Sequence, residues 1–99
     1  MATFITTIKF TQQGLQNIRK SPKRAAALKS AAKKMGVEVT NIYWTLGSFD
    51  GVLIFDAPSD EVATAAMLYL SSQDNVSATT ARAFDSSEME KVLGLMGKK

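Results

Sequence analysis

The stretch Thr45-Leu46-Gly47-Ser48-Phe49-Asp50-Gly51 sets a single carboxylate between a turn and the apolar run Val52-Leu53-Ile54-Phe55. A carboxylate placed there could act as a proton acid or base, or orient a ligand. The plainer alternative is a hairpin cap that accepts backbone N–H bonds or pairs with a cation, as short polar turn residues commonly do, and it carries more weight. Phe49 and Gly51 beside it read as packing and close-approach positions. Arg82 stands alone in the small-residue segment Ala78-Thr79-Thr80-Ala81-Arg82-Ala83-Phe84. A buried arginine needs a partner, so it either bridges an acid such as Asp50 or Asp56, the favoured reading, or binds an anionic ligand. Tyr43 and Trp44 must point to opposite faces of a strand, one into the core and the other to an interface or a pocket wall. Thr6, Thr7, Asn41, Thr79 and Thr80 could line a pocket, although threonine is also simply a good strand former. Met67, Met89 and Met96 read as gap-filling core.

What is missing narrows the chemistry further. The chain has no histidine and no cysteine. A structural zinc site, a Ser-His-Asp triad, a Cys-His dyad and a His-ligated haem are therefore excluded. An enzyme built here must use carboxylates, Lys, Tyr, Arg, backbone amides or the substrate's own reactivity. We expect no metal site and no cofactor. The catalytic candidates are Asp50, Arg82 and Tyr43, and the ligand-binding candidates are Asp50, Arg82, Trp44 and Phe49.

Ninety-nine residues suit one domain with a single core, and 45% hydrophobic with 21% charged residues reads as an ordinary globular chain. No apolar run approaches the roughly 20 residues of a membrane helix, and MATFITTIKF lacks the features of a signal peptide. A cytoplasmic protein with no membrane partner is the expectation. Charge is lopsided. Lys9, Arg19, Lys20, Lys23, Arg24, Lys29, Lys33 and Lys34 come before any acid, whereas residues 38–99 hold nine acids and four bases. Such asymmetry marks either an anionic-ligand surface or, the weightier reading, a solvated helix face.

The elements that must position these residues follow from periodicity. Thr3 to Phe10, Val37 to Leu46, Phe49 to Ala57 and Val76 to Phe84 read as strands, with Gly47-Ser48 turning the second into the third. Thr11 to Asn17 reads as a short helical turn. Ser21-Pro22 reads as the cap and first residue of a helix whose stripe is Ala25, Leu28, Ala32 and Met35, ending at Gly36. Pro58-Ser59-Asp60-Glu61 starts a helix with Val62, Ala65, Ala66, Tyr69 and Leu70 inward, ended by Asp74-Asn75. Ser87-x-x-Glu90 matches a capping box for a last helix faced by Met89, Val92, Leu93 and Met96. The run Val52 to Phe55 reads as buried on both faces, hence a central strand. The order β-α-β-β-α-β plus a helix predicts an α+β, ferredoxin-like antiparallel sheet of strand order 4-1-3-2. Two helices cover one face; the other keeps one of Phe4 or Ile5 and one of Tyr43 or Trp44, and invites a second copy.

The hairpin Tyr43 to Asp50, the following Asp56-Ala57-Pro58-Ser59-Asp60-Glu61, the segment Gln73-Asp74-Asn75-Val76 and the ending Arg82-Ala83-Phe84 together resemble a GYD-domain protein over nearly the whole chain. The family takes its name from a Gly-Tyr-Asp motif. Gly47 and Asp50 match the glycine and aspartate, whereas Phe49 replaces the tyrosine and lacks its hydroxyl. The resemblance implies a single domain over residues 1–99 of the dimeric α/β barrel group, and no known reaction. The expected function is a non-enzymatic small-molecule-binding or accessory homo-oligomer, a homodimer or a multiple of dimers. The alternative is a cofactor-independent enzyme similar to the monooxygenases or isomerases of that group, with Asp50, Arg82 and Tyr43 moving protons or stabilising charge. RNA recognition by an RRM-like sheet needs stacking aromatics where Asp50 and Val52 stand, and Ser48 replaces the usual first basic residue. Nucleic acid is accordingly not expected as a partner.

Overall fold

β-branched and aromatic side chains dominate the start of the chain, and Ala2–Phe10 accordingly forms strand β1. The computed structural model describes residues 1–97. A short helix α1 (Gln12–Gln16), a 3-10 turn (Ile18–Lys20) and helix α2 (Ser21–Lys34) follow β1. Then come β2 (Glu38–Trp44), β3 (Gly51–Ala57), helix α3 (Asp60–Ser72), β4 (Val76–Ala83) and helix α4 (Ser86–Gly94). The strands form one antiparallel sheet ordered β2-β3-β1-β4, the expected order seen from its other edge.

Helix α2 lies over β2, and α3 over β4 and β3. Phe4, Val39, Leu53, Phe55 and Ala57 meet Leu28 and Ala32 of α2 and Ala63 and Ala66 of α3 in one buried core. The alanines let both helices approach the sheet closely, and the bulk is supplied by the stacked rings of Phe4 and Phe55, 5.3 Å apart. α2 ends as its sequence suggests. Gly36, at φ 85°, donates to Lys33 O while Val37 donates to Ala32 O, the paired bonds of a Schellman ending.

The face away from the helices carries cross-strand rows of paired residues. Tyr43, Val52, Thr7 and Thr79 form one row; Asn41, Ile54, Ile5 and Ala81 form the next. Val52 and Ile54 are half-buried, whereas Leu53 and Phe55 are fully buried. β3 is thus central but covered on one face only, which corrects the expectation that both were buried.

Local endings differ from the sequence expectations in instructive ways. Ser21 is the first residue inside α2 rather than its cap; it is buried and accepts a hydrogen bond from Trp44 instead. In α3, Ala63 joins the expected Ala66 as a buried residue, with Val62 and Leu70 packed against the core, whereas Ala65 is exposed and Tyr69 is 43% exposed. Met35 also lies outside the core. The capping box of α4 is Asp85 with Glu88, not Ser87 with Glu90: Glu88 N–H donates to Asp85 Oδ1, and Asp85 N–H donates to Glu88 Oε1. Once so capped, α4 projects from the body. It packs closely on no other element among the described residues, and Met89, Val92, Leu93 and Met96 all stay exposed.

Candidate functional site

Between α2, α3 and one end of the sheet lies a cleft of about 160 Å³. Its floor is Ile8, Gly51 and Leu53, with Leu28 and Leu70 contributed by the helices and Trp44 at one side. The lining is apolar apart from a few groups, chiefly Arg24, Asp50, Gln73 and Asn75. Apolar walls with few polar groups are the usual make-up of a small-ligand site.

Asp50 sits at this end because β3 runs antiparallel to β1 and begins one residue later. Its N–H donates to Ile8 O at 2.7 Å, its Oδ2 accepts from Phe10 N–H at 2.8 Å, and its carbonyl accepts from Thr45 N–H at 3.0 Å. The carboxylate thereby continues the β1–β3 ladder beyond its last backbone pair, and it does so on the border of the cleft. Phe49 does not line the cleft; its carbonyl accepts from Thr45 Oγ1 inside the hairpin. Trp44 faces the helix side, half-exposed, and its Nε1–H donates to Ser21 Oγ at 3.1 Å. Tyr43 points to the open sheet face, where its hydroxyl accepts from Asn41 Nδ2 at 3.0 Å. At 53% and 49% exposed, neither Tyr43 nor Trp44 belongs to the core, against the expectation that one of them would.

Arg82 stands elsewhere. It is opposite Phe4 in the sheet register, while Asp50 binds Phe10. Those two phenylalanines are six residues apart on β1, roughly 20 Å at the rise of a strand. Arg82 therefore cannot reach Asp50, and among the described residues it forms no ion pair with Asp56 either. It pairs with Glu88 Oε2 at 2.9 Å, donates to the carbonyls of Thr3 and Ala83, and lies over the rings of Phe84 and Phe4. Asp56 instead accepts from Thr3 Oγ1 at 2.6 Å. Arg82 borders a second, more open groove between α3 and β4, beside Thr80 and Met67. Thr6, expected as a pocket-lining or plain strand residue, is buried between them, hydrogen-bonded to Thr80 Oγ1 at 2.8 Å and donating to Met67 Sδ.

The Arg82 hydrogen bond, helped by the Asp85 N–H, holds the Glu88 carboxyl below its ordinary value. A carboxylate whose folded pKa is depressed stabilises the fold above its unfolded pKa and loses that contribution as pH falls through the folded value. Acidification below the ordinary glutamate range should therefore loosen the first turn of α4 while the sheet persists. Glu88→Gln should remove that acid dependence, as read from amide NMR shifts of residues 85–91 across a pH series.

Arg24 and Ser21 are the cleft residues whose place was not foreseen. In sequence Arg24 is one of the basic run, yet it precedes Ala25 and lies four residues before Leu28, on the edge of the apolar stripe. Among the described residues no three His, Cys, Asp or Glu side chains group as a metal site, and no helix is long and apolar enough to cross a membrane.

The sequence profile of the GYD domain family matches residues 4–93. A Thermus thermophilus protein, named glutamine synthetase and cystathionine beta-lyase binding protein, is 31% identical over 84 residues, covering 84% of this chain and 88% of that one. The crystal structure of MtbAldR superposes with a TM-score of 0.68 over 86% of this chain at 14% identity, a likeness of fold. The chain spans 52% of that larger one. The motif residues Gly47 and Asp50, the strand order and the matched span agree: the chain belongs to the GYD domain family.

Proposed function

We propose that this GYD-domain chain is a non-enzymatic accessory protein, a homodimer that takes a small molecule in the cleft between its helices and its sheet. The observation that carries this reading is the cleft itself: an apolar lining of one end of the sheet and two helices, entered past a few polar groups. Dimerisation through the open sheet face is supported by the half-buried Val52 and Ile54 and by the row that Ile54 shares with Ile5, Asn41 and Ala81. Covering that face with its counterpart would remove apolar area from water, worth about 25 cal/mol per Å². The Thermus relative's name supports enzymes as the proteins this dimer docks on.

The enzyme alternative has less support. Asp50 already accepts from Phe10 N–H, and Arg82 is engaged with Glu88 at the other end of the sheet, so the three catalytic candidates do not converge on one substrate.

Native mass spectrometry of the purified protein tests the proposal. The expected result is a dimer or a multiple of dimers, with a small mass retained on gentle ionisation. Ile54→Lys, which sets a charge in the middle of the open face, should give a folded monomer. A wild-type monomer at micromolar concentration would overturn the dimer.

A further inference from the structure

We propose that the cleft takes a neutral, single-ring aromatic molecule whose hydroxyl donates to Asp50, a phenol being the simplest case; this rests on the ligand-binding reading above. Size sets the first limit. At about 160 Å³ the cleft matches the apolar cavities of about 150 Å³ that take up one benzene ring, and it cannot enclose a fused multi-ring body. Phe10, Trp44 and Tyr69 bring aromatic surface to it from β1, β2 and α3. Trp44 and Tyr69 are half-exposed, so ring surface stands in water at this cleft that an occupant would cover. The indole needs no ordering on binding, because its Nε1–H is already held on Oγ of the buried Ser21. An aromatic ligand gains from such rings beyond the area it buries, and a saturated ring of the same size does not.

Asp50 sets the polar group of the ligand. Its Oδ2 is committed to Phe10 N–H at 2.8 Å, whereas its Oδ1 is neither buried nor hydrogen-bonded among the described residues. A carboxylate oxygen only accepts, so the ligand must donate. Asp50 enters no ion pair among the described residues, and an anionic head group would meet its charge directly. Arg24 borders the same cleft with the opposite sign. Its guanidinium is anchored outside the lining, on Asn17 O at 2.9 Å, with Nη2 buried, so it acts on an occupant through its field rather than through a bond. A cationic ligand would oppose that field. A neutral hydroxyl meets neither charge at a cost.

Three probes of similar size separate the claims: p-cresol, 4-methylanisole, which lacks the donor, and 4-methylcyclohexanol, which lacks the aromatic ring. Each is titrated into the wild-type protein at neutral pH, followed by amide NMR and by the indole N–H signal of the single tryptophan. The expected result is saturable shifts at Leu28, Trp44 and Gly51 with p-cresol. Binding should be about tenfold weaker for 4-methylanisole and about fivefold weaker for 4-methylcyclohexanol. The ions p-toluate and 4-methylbenzylammonium should both bind more weakly than p-cresol. Asp50→Ala should bring p-cresol and 4-methylanisole to equal affinity, and the wild-type comparisons decide the matter if that variant folds poorly. Equal affinity of those two for the wild type would overturn the Asp50 contact. Equal affinity of p-cresol and 4-methylcyclohexanol would overturn the aromatic preference, and tighter binding of either ion would overturn neutrality. Shifts from none of the five would overturn the inference as a whole, whereas the ligand-binding reading is judged separately, by the small mass retained in the native spectrum.

Discussion

Phe55→Ala should remove about 3–5 kcal/mol of stability, a large share of the about 5–15 kcal/mol that holds a domain of this size together. Phe55 is fully buried in the central strand, opposite Phe4 on β1 and Val39 on β2. Its ring stacks on Phe4, so truncation loses an aromatic contact worth about 0.5–1.5 kcal/mol beyond the area term. The surroundings cannot close the gap easily, because the facing helices present Ala32, Ala63 and Ala66, which have no side chain to swing in. Urea unfolding followed by circular dichroism measures the loss. A cost under about 1.5 kcal/mol would mean that the helices settle onto the sheet and that the core is not rigid there.

Gly14→Ala should also destabilise, by about 1–3 kcal/mol or more, although alanine in a helix ordinarily gains about 1 kcal/mol over glycine. The reversed sign makes this a sharp test. Gly14 is buried where the exit of β1 meets the entry of β4, and a Cβ there would stand 2.0 Å from Asn75 O and 3.3 Å from the Phe10 ring. That carbonyl already accepts from Thr11 N–H at 3.1 Å, Thr11 Oγ1 donates to Asp74 O at 2.6 Å, and Gly14 N–H returns a bond to Thr11 Oγ1. The added methyl must push these backbones apart. Since Phe10 and Asn75 also line the cleft, its mouth should open with them. A lowered melting temperature with faster amide exchange at Thr11 and Gly14 is the expected pair of results. A rise in melting temperature would show that the clasp between α1 and the β4 entry gives way freely.

The strand order was legible because four alternating segments with two helical crossovers admit few handed arrangements. The faces were harder to read, and β2 shows why. Val37 and Val39 point inward, so strict alternation would turn Asn41 to the core. An irregularity in the β2–β3 pairing between Val39 and Asn41 resets the phase, and Ile42 and Trp44 face the helices instead. No pattern in VEVTNIYW announces that extra residue. The cap of α4 was ambiguous for another reason: Asp85-x-x-Glu88 and Ser87-x-x-Glu90 both fit the motif. The choice falls to the first because Glu88 also reaches Arg82, a contact across the β4–α4 junction that spacing alone does not display. Asp50 was found from its turn. Arg24 was hidden in a basic run, because a guanidinium at the margin of an apolar stripe looks in sequence like any solvated charge.

The projecting α4 couples secondary structure to company. A helix of nine residues alone in water forms at a loss, because nucleation is unfavourable and too few turns follow to recover it. The Asp85–Glu88 box offsets part of that deficit at one end. The remainder must come from whatever lies against Met89, Val92, Leu93 and Met96. The helical population of this segment is therefore a variable rather than a constant, rising with the concentration of anything that shields its apolar side. A change in far-ultraviolet ellipticity on dilution would track assembly with no label attached.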